Sequence, residues 1–424
     1  MNQVWPIVPI RTVYSGLFDG PHATPKPSEE GPVFLGIGNI TEDGHLDLAQ
    51  IKRISEHDFP RWTKRVLPQP GDIVFTYEAT LNRYAIVPNG FLGCLGRRLA
   101  LIRPNPEAVD TRWLHYYFFG PEWRAVVAAN TLSGATVDRI PLSSFPDFPI
   151  RLPDLRTQRR IASILSAYDD LIDNNTRRIA ILEEMARQIY KEWFVRFRFP
   201  GHELAKMVDS ELGLIPEGWI ASYSSHVDFL EGPGLRNWQY RDSGIPFLNI
   251  RTLVGNDIDL SKVQYLDQQE VQQRYQHFLL APYDHVVSSS GTLGRTVTIQ
   301  SCHLPLMLNT SIIRMRPKSD KLGRWLLKSF IRSSYFQNQI HAVAIGAAQK
   351  NYGPSHLKGI WVIAPDEATA KLFEEKVGPM EELILALVRK NNNLRATRDL
   401  LLPKLISGEL DVSTLPEPEE ALAA

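Results

Sequence analysis

Cysteine is almost missing from this chain: Cys94 and Cys302 are the only two in 424 residues. Two cannot build a disulfide framework or a zinc cluster, so a reducing cytoplasm is the expected compartment. Excess charge of one sign is missing too, with 47 Lys and Arg against 47 Asp and Glu. No gross basic field announces a polyanion partner, and any nucleic-acid surface must be local. Counted along the chain, the segment around the first seam, residues 151–199, and the unit after it are each about three charges positive, and the C-terminal segment is about five negative. No apolar run approaches a membrane span, and Met1-Asn2-Gln3-Val4-Trp5-Pro6 lacks a basic stretch followed by an apolar one. The expectation is a soluble, unexported protein with no membrane partner. The 11 histidines show no metal-ligand spacing, and GxxxxGK[ST], GxSxG and HExxH are all absent. Nothing argues for catalysis, a metal or a bound cofactor.

What is present is a long apolar period that occurs twice. Ile161, Leu165, Tyr168, Ile172, Asn175, Ile179, Leu182, Ala186, Ile189 and Trp193 step four and three residues alternately, as a heptad seam does. Phe373, Val377, Met380, Ile384, Leu387, Asn391, Leu394, Arg398, Leu401 and Leu405 repeat the alternation, each 212 positions on, as from 161 to 373. A fixed offset over ten positions predicts two copies of a globular unit, each followed by a long helix. A helix of roughly 37 residues would be on the order of 55 Å long and would bury one narrow stripe, so each needs a partner. A homo-oligomeric coiled coil would satisfy the seam; the repeat favours pairing within the chain. Asn175 and Asn391, polar at seam positions, are expected to fix register at a cost in stability.

Short Val-, Ile- and Phe-rich runs separated by Gly and Pro predict an α+β fold for each unit. Val33–Ile37 and Asp72–Thr76 read as strands and Thr111–Phe118 as a short helix. The second unit echoes the first: Pro70-Gly71-Asp72 becomes Pro282-Tyr283-Asp284, Trp113-Leu114 becomes Trp325-Leu326, and Pro153-Asp154 becomes Pro365-Asp366. Residues between these matches differ widely, which suits one scaffold presenting two unlike surfaces. The acidic, proline-bearing stretch at 412–424 is expected to be a disordered tail.

Two motifs could carry chemistry. Phe34-Leu35-Gly36-Ile37-Gly38 fits the FxGxG pattern of S-adenosylmethionine sites. The accompanying target-base motif fails at Asn105-Pro106-Glu107 and the echo Phe247–Arg251 loses both glycines, so a strand with small residues is the reading. Pro365-Asp366 with Glu374-Glu375-Lys376 fits a loose PD…ExK nuclease pattern. Those acids fall on a predicted helix beside seam residues, where solvated charges are expected, as they are for Asp169-Asp170 and Glu183-Glu184.

Matched polar loops are more informative, because base edges are read by Arg, Lys, Asn, Gln, Ser and Thr on protruding elements. The first unit offers Thr76–Arg83, with Thr80, Asn82 and Arg83, and Thr131–Arg139, with Thr136 and Arg139. The second offers Ser288–Arg295, with Ser290, Thr292 and Arg295, and Gly346–Asn351, with Gln349, Lys350 and Asn351. Ordinary surface turns are the alternative at each residue.

Taken together, these features resemble the specificity subunit of type I restriction-modification systems along nearly the whole chain. Leu152–Ile161 is similar to that family's approach to its first helix, including Gln158; Glu192–Phe197 is similar to the helix end. Ile215-Pro216-Glu217-Gly218-Trp219 resembles the opening of a recognition domain and Leu401–Leu410 the closing stretch. The chain departs from the pattern where Ala370 stands opposite Gln158 and where Trp5-Pro6 stands for Pro216–Trp219.

The resemblance implies two tandem α/β target-recognition domains, at 1–152 and 200–365. It also implies long helices at 153–199 and 366–411, paired as an antiparallel coiled coil with pseudo-two-fold symmetry. Its implied function is reading a bipartite, gapped site on double-stranded DNA, one half per domain. Helices on the order of 55 Å would separate the halves by one to one and a half turns of B-DNA, at ~34 Å per turn. Implied partners are two methyltransferase subunits, which bind S-adenosylmethionine and flip out adenine, and two ATP-driven restriction and translocase subunits. Chemistry would then be delegated and this chain would hold no cofactor. The outward helix faces would be the docking surface. A coiled-coil scaffold joining two protein-binding domains is the rival reading, and an autonomous DNA methyltransferase the enzymatic one.

Overall fold

The computed structural model describes residues 5–133, 137–210, 213–261, 263–318, 321–346 and 350–415. The chain divides into two compact units, Met1–Asp173 with Asn393–Ala424, and Asn174–Asn392. Both boundaries fall inside long helices, Leu155–Tyr190 and Glu367–Ile406, so each unit owns one end of each helix.

In the first unit a four-stranded antiparallel sheet runs in the order Tyr14–Asp19, Leu99–Pro104, Ile73–Thr76, Tyr84–Ile86. Side chains alternate across a strand, so Ile73 and Phe75 face one way and Val74 the other. Ile73 and Phe75 join a core with Trp113, Leu114, Trp123 and Val127 from the helices Thr111–Tyr117 and Pro121–Asn130. Val74, Ala85 and Leu101 meet Val33, Leu35 and Leu95 of a smaller sheet, made by Lys52–Arg53, Ser28–Leu35 and Gly93–Leu95. Covered on both faces, Ile73–Thr76 is buried throughout, which its unbroken apolar run requires. Phe34, the aromatic of the FxGxG pattern, is buried edge-to-face against Trp62, with ring centroids 5.5 Å apart.

The second unit has a four-stranded antiparallel sheet in the order Val227–Glu231, Ile312–Pro317, His285–Ser288, Thr296–Thr298. Ile73 and His285 stand 212 apart, as do Tyr84 and Thr296. Its helices Arg324–Arg332 and Ser334–Val343 follow those of the first unit by 213, as from Thr111 to Arg324. One inward carboxylate recurs in both. Asp72 accepts from Arg103 Nε and Nη2 at 2.8 Å each, while Asp284 is held by Arg316, whose Nη2 lies 2.7 Å away. The turn before it needs a left-handed residue: Gly71, at φ 88°, is replaced by Tyr283 at φ 69°. The Tyr283 ring lies under the Arg324 guanidinium at 3.7 Å, a contact glycine could not make.

The two long helices begin alike. Asp154 accepts from the Thr157 amide at 2.9 Å and Asp366 from the Thr369 amide at 2.9 Å, each hydroxyl answering the same carboxylate at 2.9 Å. These bonds hold the Asp154 carboxyl below its usual range. The Asp366 of the nuclease-like pattern is therefore a helix cap.

Gln158 Oε1 accepts from the amide of Asp110, the residue that caps Thr111–Tyr117, at 2.8 Å, and its Nε2 donates to the Pro153 carbonyl at 2.8 Å. Ala370 can do neither. One turn further on, Glu374 accepts from the amides of Trp325 and Leu326 at 2.9 and 2.8 Å, capping the equivalent helix Arg324–Arg332 directly. The second acid of the PD…ExK pattern thus anchors that helix to the long one. Glu374→Ala should speed amide exchange at Trp325 and Leu326 by roughly tenfold, the equivalent of one lost cap. Adding Ala370→Gln should recover part of it; unchanged exchange in Glu374→Ala would mean the cap is idle.

Within the first unit, Ile161 and Leu165 share a core with Leu405 and Ile406, and Asp169 meets Arg398. In the second, Asn175 Nδ2 donates to Asn391 Oδ1 at 2.8 Å, Ile179 clusters with Ile384, Leu387 and Val388, and Tyr190 lies against Phe373. Numbers rise along one helix as they fall along the other. After Tyr190 the first helix widens into a π-turn, Lys191–Val195, and the chain leaves through Phe197 at φ 55°. Two acids expected to be merely solvated are engaged. Asp169 takes hydrogen bonds from the Tyr116 hydroxyl and Arg398 Nη1, both at 2.5 Å, and Glu183 from Arg332 Nη1 at 2.6 Å.

Candidate nucleic-acid interface

The loops singled out in sequence are joined in pairs by backbone rungs. In the first unit, the Ala79 amide donates to the Asp138 carbonyl at 2.9 Å, Ile140 to Tyr77 at 2.7 Å, and Glu78 bridges Arg139. Arg139 and Leu132 exchange both backbone bonds, at 2.9 and 3.1 Å. The second unit repeats this arrangement: Gly291 donates to Lys350 at 3.2 Å, Tyr352 to Ser289 at 3.0 Å, and Ser290 bridges Asn351. Asn351 and Ile345 exchange both bonds at 2.9 Å. Glu78 and Ser290 are 212 apart, as are Arg139 and Asn351. Two stretches more than fifty residues apart in sequence thus form one ridge in each unit.

Left-handed residues make the tight turns: Ala79 at φ 72° and Asn82 at φ 61°, against Gly291 at φ 69° and Gly294 at φ 78°. At Gly294 a β-carbon would come within 2.0 Å of Gln337 Oε1, so that position also needs the space.

The side chains divide into two groups. Arg139, Thr292, Lys350 and Asn351 are exposed, and Thr80, Asn82 and Ser290 are half-buried. Arg83 turns inward, with Nη1 3.3 Å from the Ile40 carbonyl and Nη2 3.0 Å from Glu42 Oε1. Arg295, its repeat counterpart, places Nη1 3.4 Å from the Leu253 carbonyl. Both arginines tie a loop to the small sheet region behind it. Thr136 and Gln349 lie outside the described residues.

Behind the first ridge is a polar chain that sequence reasoning missed. The Tyr77 hydroxyl lies 3.5 Å from His22 Nε2, itself 3.0 Å from Asp19 Oδ2, and Arg65 Nη1 reaches Asp19 Oδ1 at 2.6 Å. Burial, helped by the Asp19 carboxylate, pushes the Tyr77 phenol up to about 12, so it stays a neutral donor. Its members are scattered over more than fifty positions and follow no period, so no local signal could have grouped them.

A cavity of about 540 Å³ in the first unit is walled by Glu42, Asp43, His115, Tyr116, Asp169 and Arg398, among others. Its central carboxylate, Asp169, is already answered by Tyr116 and Arg398. Among the described residues no group of three or more His, Cys, Asp or Glu could hold a metal, and no helix is long and apolar enough to cross a membrane.

Residues 31–184 match the type I restriction modification DNA specificity domain. The MjaIX specificity subunit of Methanocaldococcus jannaschii is 24% identical over 378 residues, covering 86% of this chain and 83% of that protein. The HindI specificity subunit of Haemophilus influenzae is 24% identical over 442 residues, covering 89% and 94%. Over residues 31–184 by the domain match, and over most of its length by these relatives, the chain is similar to type I specificity subunits. The crystal structure of a type I restriction-modification S subunit from M. genitalium superposes with a TM-score of 0.58 at 14% identity, covering 95% of this chain and 96% of that one. That likeness is one of fold, mixed α/β with long helices, over nearly the whole chain.

The PD…ExK and FxGxG patterns have structural uses. Glu374 caps a helix, Phe34 fills a small core, and neither is near the paired loops in sequence.

Proposed function

We propose that this chain is the DNA-reading subunit of a type I restriction-modification complex in the cytoplasm. It recognises a bipartite, gapped site and directs adenine methylation and restriction by partner subunits. One half-site is read by each target-recognition domain, 1–152 and 200–365, and the gap is set by the helices at 153–199 and 366–411, paired as an antiparallel coiled coil with pseudo-two-fold symmetry. Two methyltransferase and two restriction and translocase subunits supply the cofactors and the chemistry; this chain is not itself an enzyme.

The observation that carries the reading is the pair of ridges. The same backbone rung occurs at the same repeat position in both units, yet Glu78 and Arg139 in one are Ser290 and Asn351 in the other. A shared frame with unlike side chains suits two unlike half-sites. Arg139, Thr292, Lys350 and Asn351 would face DNA, with Thr80, Asn82 and Ser290 beside them; Arg83 and Arg295 would hold the loops in place. Near-neutral overall charge fits if partner subunits clamp the duplex and neutralise much of its phosphate charge.

The test is sequencing of methylated adenines in cells carrying this chain with its methyltransferase partner, against cells carrying the partner alone. An asymmetric, gapped motif methylated only when the chain is present is the expected result. No motif from an assembled complex would favour a scaffold joining two protein-binding domains.

A further inference from the structure

On each ridge a large aliphatic side chain stands in water. Leu132 is 49% exposed and Ile345 is 65% exposed. A single exposed aliphatic needs no explanation. Two at one repeat position do: 132 and 345 are 213 apart, the offset that also relates the helix starts Pro121 and Ser334. Each is fixed by two backbone hydrogen bonds to an exposed polar residue, Leu132 to Arg139 and Ile345 to Asn351. Directly opposed residues of an antiparallel rung project their side chains from the same face. Each ridge therefore presents one aliphatic and one hydrogen-bonding side chain together, Leu with Arg and Ile with Asn.

That pairing matches the chemistry of a major groove. Arginine reads guanine and asparagine reads adenine through two hydrogen bonds each, and the apolar group displayed beside such edges is the C5 methyl of thymine. We propose that Leu132 and Ile345 are specificity-determining residues that cover a thymine methyl, one in each half-site, next to the base read by Arg139 or Asn351. The proposal rests on the DNA-reading function given above. Hydration of the aliphatic surface, a standing cost in the free protein, is relieved only when that methyl is present.

The experiment is binding selection by the full chain, assembled with its methyltransferase subunits, from randomised duplexes made with thymidine and again with deoxyuridine. With thymidine, one position in each half-site should select T. With deoxyuridine that preference should weaken by roughly fourfold, the worth of one buried methyl group. Leu132→Ala should remove the methyl dependence from one half-site alone, and Ile345→Ala from the other alone. A motif that is equally strong in both libraries, or a methyl dependence that survives both substitutions, overturns the proposal and leaves the function standing. An assembled complex that selects no motif overturns the function itself.

Discussion

Glu381→Ala should destabilise the second unit by about 3–5 kcal/mol, while Lys328→Met combined with Glu381→Leu should return to within about 1–2 kcal/mol of the unsubstituted chain. Lys328 and Glu381 form an ion pair with both side chains buried, at 5% and 4% exposure. Lys328 stands on the helix Arg324–Arg332 and Glu381 on Glu367–Ile406, so the pair fastens the globular part of the unit to its long helix. Removing the carboxylate leaves an ammonium in an apolar site, beside the Trp325 ring at 5.7 Å, with its desolvation uncompensated. Removing both charges abolishes that penalty, so the single and double variants should differ sharply. The first unit keeps a carboxylate at the same repeat position, Asp169, but its cation is Arg398 of the second long helix. Urea unfolding with a tryptophan probe in each unit separates the two, since only the second transition should move. A single variant as mild as the double would mean that water or a neighbouring group rescues Lys328, and that the pair is not what secures this junction.

Much of the architecture was legible because helical seams leave a periodic trace. The heptads located both long helices, and the offset of 212 located the equivalent strands and caps, because repeated Pro-Asp and Pro-x-Asp turns are local chemistry. Long-range partnerships were not legible. Glu374 has the residue type of a solvated helix charge, and only folding shows that it reaches the Trp325 amide. Asp169 has the same ambiguity, resolved by Tyr116 and Arg398. In the loops, residue type singled out stretches that the fold joins in pairs, but not the direction of each side chain. Arg83 and Arg295 have a reader's chemistry, and each also reaches a backbone carbonyl, of Ile40 and Leu253, which residue type alone does not indicate. Leu132 and Ile345 carry no polar signature at all, and only their exposure and matched rungs draw attention to them.

Replacing Asn175 and Asn391 together by Leu should stabilise the helix pair by on the order of 3 kcal/mol, because two apolar side chains then fill a buried seam. Each asparagine is 3% exposed, and the Asn175 Nδ2 to Asn391 Oδ1 bond at 2.8 Å is complemented by Asn391 Nδ2 donating to Thr176 Oγ1 at 3.3 Å. Asn391→Leu alone should instead cost about 1–3 kcal/mol, since it takes away the acceptor of the buried Asn175 amide. The gain in the double variant should come with a loss of discrimination. Two apolar stripes tolerate a slip of one heptad that the asparagine bond forbids, because a slipped pair would bury both amides unpaired. A slip of seven residues moves about 10 Å along the axis, close to three base pairs of B-DNA. If the chain reads a gapped site as proposed, thermal unfolding of the assembled complex and the gap length in its methylated motif read the two consequences separately. A higher melting temperature with methylation spread over more than one gap would make the asparagine pair the register pin of the helix pair. A higher melting temperature with one unchanged gap would assign register to the flanking contacts of Ile179 and Leu182 with Ile384 and Leu387, and leave the asparagines a cost without that return.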